Sequence, residues 1–373
     1  MLTVTAQEYR DAALTKRIIL IDGHQVFFEC SGAELPELKL LDYAVLACIF
    51  YAMKKGQDLH IDGAVSRTLL RNMEEFQDAW VSWLRGYQSI AITASIEMDD
   101  SLQQNRRAVF AFSGGVDSTF VLLRDLNKET GRRACEPIAA CLVQGFDIGL
   151  SENDAFAVAK TSAKETLDSI GIPLVTVRTN LKEKLYGDDW RYVFGAALAA
   201  CVHQFTEFAN FGVVGADEDY AHLYFPWGSN FITNQFLSGG SFTFVTEGGG
   251  FTRTERVKAI SKHPQIAKRL RVCWQGNGTN CGRCEKCTRT KLNFMAVRQE
   301  PYCFEDGPPT NLQILSIQAR FGPAFGFLCE IYQSAKRNEI KESWVFWVGL
   351  AIFKNFLLLS IRDLLRSLRT RSG

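Results

Sequence analysis

The sequence has almost no net charge: 42 Lys and Arg stand against 41 Asp and Glu, a formal +1 over 373 residues. That balance argues against a chain-wide nucleic-acid footprint, so no stable nucleic-acid partner is expected, although a local basic face stays open. The polar opening, with Glu8, Arg10 and Asp11, lacks the basic-then-apolar order of a secretory signal. No uncharged apolar run reaches the roughly 18 residues of a bilayer span. The nearest stretch, 344–359, is broken by Lys354 and Asn355. It reads as a buried helix, with a partner or membrane surface as the alternative and no transmembrane span expected. Arg362, Arg366, Arg369 and Arg371 then give a basic end that suits a helix C-terminus as well as anionic lipid. An even disulfide framework is also missing. The eleven cysteines are odd in number and four cluster between Cys273 and Cys287, which fits a reducing, cytoplasmic setting.

What is present describes a globular chain, with 47% hydrophobic and 22% charged residues. Residues 1–105 read as a separate α+β unit. Two strands are expected across 17–28 around a turn at Asp22-Gly23, helices across 41–53 and 69–84, and a strand near 89–96. The polar run 99–107 reads as a linker, and His24 and His60 as fold or surface histidines. From Ala108 the pattern becomes α/β. Apolar runs at 108–112, 138–143, 173–177 and 211–214 alternate with helical stretches at 119–126, 153–170 and 193–205, and 242–246 supplies a late strand. Such alternation predicts βαβ units and a mostly parallel sheet. Helices at 311–321 and 343–368 follow. The expected domains are therefore 1–105, 106–298 and a helical 299–373.

The run Ser113-Gly114-Gly115-Val116-Asp117-Ser118-Thr119 links the first of these strands to a helix. Two glycines let the backbone approach phosphate, and N–H groups at the helix start can hold pyrophosphate oxygens. Ser113, Ser118 and Thr119 add hydroxyls; Asp117 either caps the helix or helps hold Mg2+. A Walker loop is excluded because there is no lysine, and a dinucleotide fingerprint because G-x-G-x-x-G is absent. Ala111-Phe112-Ser113-Gly114-Gly115-Val116-Asp117-Ser118 resembles the PP-loop of the N-type ATP pyrophosphatases. The resemblance implies an adenine nucleotide α-hydrolase-like sheet and cleavage of ATP between its α and β phosphates.

Cys273, Cys281, Cys284 and Cys287 form C-x7-C-x2-C-x2-C. Four thiolates at this spacing suit a closed, structural Zn2+ site, with an iron–sulfur cluster as the alternative. Together with Gly215-Ala216-Asp217-Glu218-Asp219-Tyr220 and Pro226, the stretch from Cys273-Trp274-Gln275-Gly276 to Cys287-Thr288-Arg289 resembles 7-cyano-7-deazaguanine synthase (QueC). The likeness covers about residues 108–295. The segment after Asp219 is longer than in that family and lacks its Asp-Cys-Arg. The arrangement is similar to a QueC-like branch found beside polysaccharide genes or in anti-phage defence, where a deazaguanine is thought to be attached to a protein.

The resemblance implies a ligase that adenylates a substrate carboxylate, releases pyrophosphate and passes the acyl group to ammonia or an amine. Continuation to a nitrile, a 7-deazaguanine substrate, a protein partner or protein substrate, and a homodimer belong to the same expectation. Asp147, Arg178 and Gly215 fall just past strand ends and join the loop 113–119 as candidate nucleotide contacts. Each of Asp147 and Arg178 has an alternative reading, as a loop contact and as a surface ion pair. Asp219 and His222 are candidate acid–base groups alongside Ser113, Asp117 and Ser118, and Arg253, Arg256 and Lys258 could offer positive charge. Two alternatives stand: an RNA thiolase, which needs a reactive cysteine near the loop (Cys135 or Cys141), and a non-catalytic ATP-sensing interaction protein.

Overall fold

A computed structural model describes the chain except residues 12–13, 100–104, 274, 276–277, 319–321 and 372–373; the side chains of 188, 322–324 and 361–371 also lie outside it. Most of the expected linker, Trp274 and Gly276 of the cysteine loop, and the end of the helix expected at 311–321 are therefore outside the described residues.

Among the described residues, ten strands form one sheet. They are β1 (Leu2–Arg10), β2 (Leu14–Ile21), β3 (His24–Ser31), β4 (Leu59–Ser66), β5 (Ile92–Met98), β6 (Arg107–Ala111), β7 (Glu136–Gln144), β8 (Leu174–Thr179), β9 (Phe211–Gly215) and β10 (Thr243–Glu247). Their order is β10-β9-β6-β7-β8-β3-β2-β1-β4-β5. Only β8–β3, β3–β2 and β2–β1 pair antiparallel, so the sheet is mostly parallel, as the α/β alternation predicts. Helices α1 (Asp42–Lys55), α2 (Arg67–Trp83), α3 (Val116–Leu126), α4 (Asn153–Asp168) and α5 (Trp190–Val202) complete this part. Beyond it come α6 (Arg253–Ile260), α7 (Pro264–Ala267), α8 (Glu285–Met295), α9 (Asn311–Ser316), α10 (Gly322–Arg337) and α11 (Ser343–Arg371).

The chain divides into two compact units: Met1–Asp217 with Phe225–Gly249, and Glu218–Tyr224 with Gly250–Gly373. The boundary expected near residue 105 falls inside the first unit. The physical reason is β3, whose residues Phe28 to Ser31 pair antiparallel with Thr179 to Thr176 of β8 and so carry the sheet across that boundary. Asn180 reinforces the join, accepting from the Phe27 N–H at 2.9 Å and donating to the Gln25 carbonyl at 3.0 Å. The β2–β3 hairpin turns where expected, with Asp22 and Gly23 both at positive φ. Strands β1 and β4 were not expected. Their apolar alternation is short, Leu2, Val4 and Ala6 in one and Leu59 and Ile61 in the other, and gives way to Gln7-Glu8 and to Asp62-Gly63.

In the first unit β6 lies between β7 and β9. The chain leaves β6 toward β7 and β8, then returns to β9 and β10, so the strand order reverses at β6. Right-handed crossovers put α3 and α4 on one face and α5 on the other. α1 packs with α5, and Val45, Ile49, Phe50, Ala197 and Cys201 belong to one buried apolar core with the sheet.

The second unit is helical. Its apolar core is smaller, with Leu292, Ile314, Leu328, Ile331, Val345 and Val348 among its members. The four-cysteine stretch belongs to this unit, together with the C-terminal helices. The helix expected to be buried at 344–359 is buried on one face only: 28% of the Ser343–Ser360 window is buried, and by length and composition alone that window could cross a membrane.

Candidate functional site

The first unit carries the glycine loop. It begins at the carboxyl end of β6, at the reversal in strand order, which is where open α/β sheets leave a ligand crevice. Phe112 is tied to the next strand, its N–H donating to the Cys141 carbonyl at 2.8 Å. Gly114 then takes φ +72°, a conformation that costs glycine little. Gly115 is extended and starts α3 with no side-chain cap. The first-turn N–H groups of α3 have no intrahelical acceptor by helix geometry.

The hydroxyls shape this turn. Ser113 Oγ and Ser118 Oγ are 3.3 Å apart, the Ser113 N–H donates to Ser118 Oγ at 3.3 Å, and the Gly115 N–H donates to Ser113 Oγ at 3.3 Å. Ser113 is exposed, Gly114, Gly115 and Asp117 are partly so, and Val116, Ser118 and Thr119 are buried. Thr119 Oγ1 is buried with no hydrogen-bond partner among the described residues.

Gly215, at the end of β9, is brought to the same place. A Cβ on it would lie 2.7 Å from the Asp117 carbonyl carbon and oxygen, so only glycine lets β9 close against the start of α3. Asp217, two residues on, accepts from the Trp227 indole N–H at 2.9 Å. Asp147 is exposed in the turn after β7. Arg178 goes elsewhere: its guanidinium lies 3.0 Å from Glu29 on β3 and 5.8 Å from the Phe27 ring centroid. That is the ion-pair alternative weighed for it, made possible by the β8–β3 pairing. Cys135 and Cys141 are buried; burial pushes the Cys135 thiol up to about 11 and Cys141 well above its ordinary range.

In the second unit, Asp219 and His222 form a pair. Nδ1 of His222 lies 2.8 and 3.0 Å from the two Asp219 carboxylate oxygens, with Asp219 buried and the His222 side chain 30% exposed. The stretch 218–224 is fixed from within the unit: Glu218 accepts from the Tyr224 N–H at 2.7 Å, and Arg256 donates to the Glu218 and Phe251 carbonyls at 3.3 and 3.1 Å. A Cβ on Gly326 of α10 would lie 3.1 Å from His222 Cδ2, so α10 backs the imidazole closely. No local pattern around Gly326 announces this. Arg253 and Arg256 are buried rather than on a solvated helix face, while Lys258 is exposed.

The four cysteines of the second unit converge. Their sulfurs lie within 4.8 Å of one another, with Cys273–Cys284 at 3.7 Å and Cys281–Cys287 at 3.9 Å. A tetrahedron with metal–sulfur bonds of about 2.3 Å has sulfurs about 3.8 Å apart, so the set could hold one metal ion. Backbone N–H groups already point at the sulfurs: Gln275 to Cys273 at 3.2 Å, Cys284 to Cys281 at 3.3 Å, and Cys287 to Cys284 at 3.5 Å. The hydrogen bond from the Cys287 thiol, with help from the Cys287 N–H and the Cys273 and Cys281 thiols, holds the Cys284 thiol down to about 5.

The chain was compared with protein-family models, characterised proteins and solved structures, and none of them matches it.

Proposed function

We propose that this chain is an ATP-dependent ligase of the QueC-like, PP-loop type, adenylating a substrate carboxylate with release of pyrophosphate. The observation that carries the reading is the uncapped glycine turn at the strand-order reversal, opening α3 and closed from the side by Gly215. The α3 N-terminus supplies N–H groups that have no acceptor within the helix, and the positive end of its dipole. Ser113, Ser118 and the unpartnered Thr119 hydroxyl add neutral donors, and Asp117 carries the negative charge for a magnesium ion.

In this reading the carboxylate oxygen attacks the α-phosphorus, the α–β bridging bond breaks, and pyrophosphate leaves onto the loop. Donors aimed there before reaction stabilise the charge that develops on the leaving oxygens. Ammonia or an amine then attacks the acyl carbon and AMP departs, giving an amide. His222, with Nδ1 2.8 Å from Asp219, forms with it an acid–base pair of the second unit by itself. Magnesium, when bound with ATP, neutralises phosphate charge. Zinc fits the four-cysteine set as a closed structural ion, because four thiolates leave no coordination site for substrate. A 7-deazaguanine carboxylate as substrate, with ammonia or a protein amine as acceptor, rests on the resemblance. The thiolase alternative is disfavoured because Cys135 and Cys141, the cysteines near the loop in sequence, are buried with their thiols pushed up.

The test is incubation of the purified chain with ATP, Mg2+ and 7-carboxy-7-deazaguanine, with mass spectrometry of small molecules and of candidate partner proteins. AMP, pyrophosphate and an amide, nitrile or protein adduct are expected. If ATP and the carboxylate both return unchanged across plausible acceptors, the ligase reading fails.

A further inference from the structure

Helix α11 is apolar around most of its circumference, and the second unit covers only one side of it. Trp344, Val348, Ala351 and Asn355 are buried. At about 100° per residue, Phe346, Leu350, Phe353 and Leu357 fall on the opposite side. They are 68%, 38%, 58% and 44% exposed. Their spacing of four, three and four residues makes one continuous stripe about 17 Å long at about 1.5 Å per residue. Singly exposed apolar side chains need no explanation, but a contiguous aromatic and aliphatic stripe marks an interaction surface.

Two further observations decide what it meets. First, the helix is pinned at its middle. Lys354 Nζ donates to the Leu315 carbonyl, and to that of Ile317 at 3.0 Å, while Asn355 Nδ2 donates to the Ile317 carbonyl at 3.0 Å. Threading 343–360 through a bilayer would strip these bonds and take Lys354 into hydrocarbon. These bonds favour a helix lying along a surface over one crossing it. Second, the last turns that follow, 361–371, carry Arg362, Arg366, Arg369 and Arg371 against a single acid, Asp363. A second copy laid parallel on the stripe would bring these like charges together, whereas an anionic surface is attracted to them, each basic residue adding to the binding.

We propose that α11 is a peripheral membrane anchor, whose apolar stripe enters the headgroup–acyl boundary of an anionic leaflet while the basic end meets lipid phosphates. The anchor is independent of the ligase reading, and its readout involves no catalysis.

The experiment is flotation of the full-length chain with vesicles of phosphatidylcholine alone and of phosphatidylcholine mixed with phosphatidylserine. Binding to the mixed vesicles, reduced by high salt, is expected. A Phe353→Ser/Leu357→Ser double variant should lose roughly tenfold or more of that binding, since two large apolar side chains no longer leave water. Both positions are exposed, so its thermal unfolding should match the parent. Arg366→Gln with Arg369→Gln should also lower binding to mixed vesicles roughly tenfold while leaving phosphatidylcholine binding unchanged. Any of three results overturns the proposal: failure to float with either vesicle; a dimer in light scattering that the double variant makes monomeric, without vesicle binding; or carbonate-resistant insertion, which would mean a true span.

Discussion

Both the sheet-bearing unit and the cysteine-bearing unit bury polar groups, but the apolar core around them is far larger in the first. The first buries an extensive apolar set that runs from Val4 and Ile19 through Phe50, Phe76 and Trp80 to Ala197 and Phe242. The second buries charge and hydrogen-bonding groups beside a small apolar core. Glu330 accepts from Thr254 Oγ1 at 2.7 Å, Asn293 donates to that same oxygen at 2.7 Å, and Lys291, with no exposed side-chain surface, pairs with Asp306 at 2.5 Å. An apolar core tolerates volume-conserving change, whereas a buried polar set leaves neighbours stranded when one member goes. The first unit should therefore stand on its own packing, and the second on specific partners and on a metal ion if its four thiolates hold one.

The largest expected effect breaks the second unit alone. A structural zinc site contributes on the order of 10 kcal/mol to folding in small peptides. Chelation, or Cys284→Ser, should open 250–373 to limited proteolysis while the sheet unit stays protected. Equal loss of protection in both units would end the distinction. Next in size is Asp117→Ala combined with Ser118→Ala. In the proposed ligase, pyrophosphate release should fall roughly 10²–10³-fold, the usual cost of losing preorganised donors, with the thermal unfolding of the second unit unchanged.

The third effect concerns His203, which lies in the core of the first unit. Its Nε2 meets the Leu237 carbonyl at 2.9 Å, and its Nδ1 is buried with no hydrogen-bond partner among the described residues. Burial pulls it down from 6.5 to about 4, although the Leu237 carbonyl acts the other way. The unfolded chain then binds the proton more readily, so this stability is complete above pH 6.5 and is lost as pH falls toward 4. The loss is about 3 kcal/mol. Urea unfolding against pH should show it, and His203→Gln should flatten that limb.

Glu330 gives the smallest effect and the opposite sign. Burial raises its pKa even though Thr254, Thr252 and Ser334 oppose the shift. Its contribution is therefore present below pH 4.5 and lost as pH rises through the raised value. Glu330→Gln should remove this slope from the unfolding of the second unit and leave the His203 slope in place. If one substitution moved both slopes, the two units would not be unfolding separately.

Much of the candidate site can be read along the chain, because its chemistry sits in consecutive residues. The loop 113–119 and the cysteine spacing each name their ligand atoms without reference to distant partners, and the hairpin at Asp22-Gly23 and the start of α3 follow from local conformational preference. Arg178 is different. Along the chain it reads equally as a phosphate contact or a surface ion pair, and it lies within β8, paired with Glu29, 149 residues away. Gly326 behind His222 and the Thr119 hydroxyl left without a partner are likewise consequences of packing.

The sequence by itself determined the α/β alternation, the glycine turn between strand and helix and the four-thiol cluster, since turn geometry and ligand identity are properties of short segments. Only the tertiary structure decided that β1 to β5 extend the same sheet, that Gly215 closes on the loop, and which face of α11 stays uncovered. Those outcomes depend on which distant surface arrives to satisfy a strand edge, a charge or an apolar face. Helices α1 and α11 show this most clearly: both are apolar, but α5 and the sheet cover the first, while the second unit leaves one side of the other in the open.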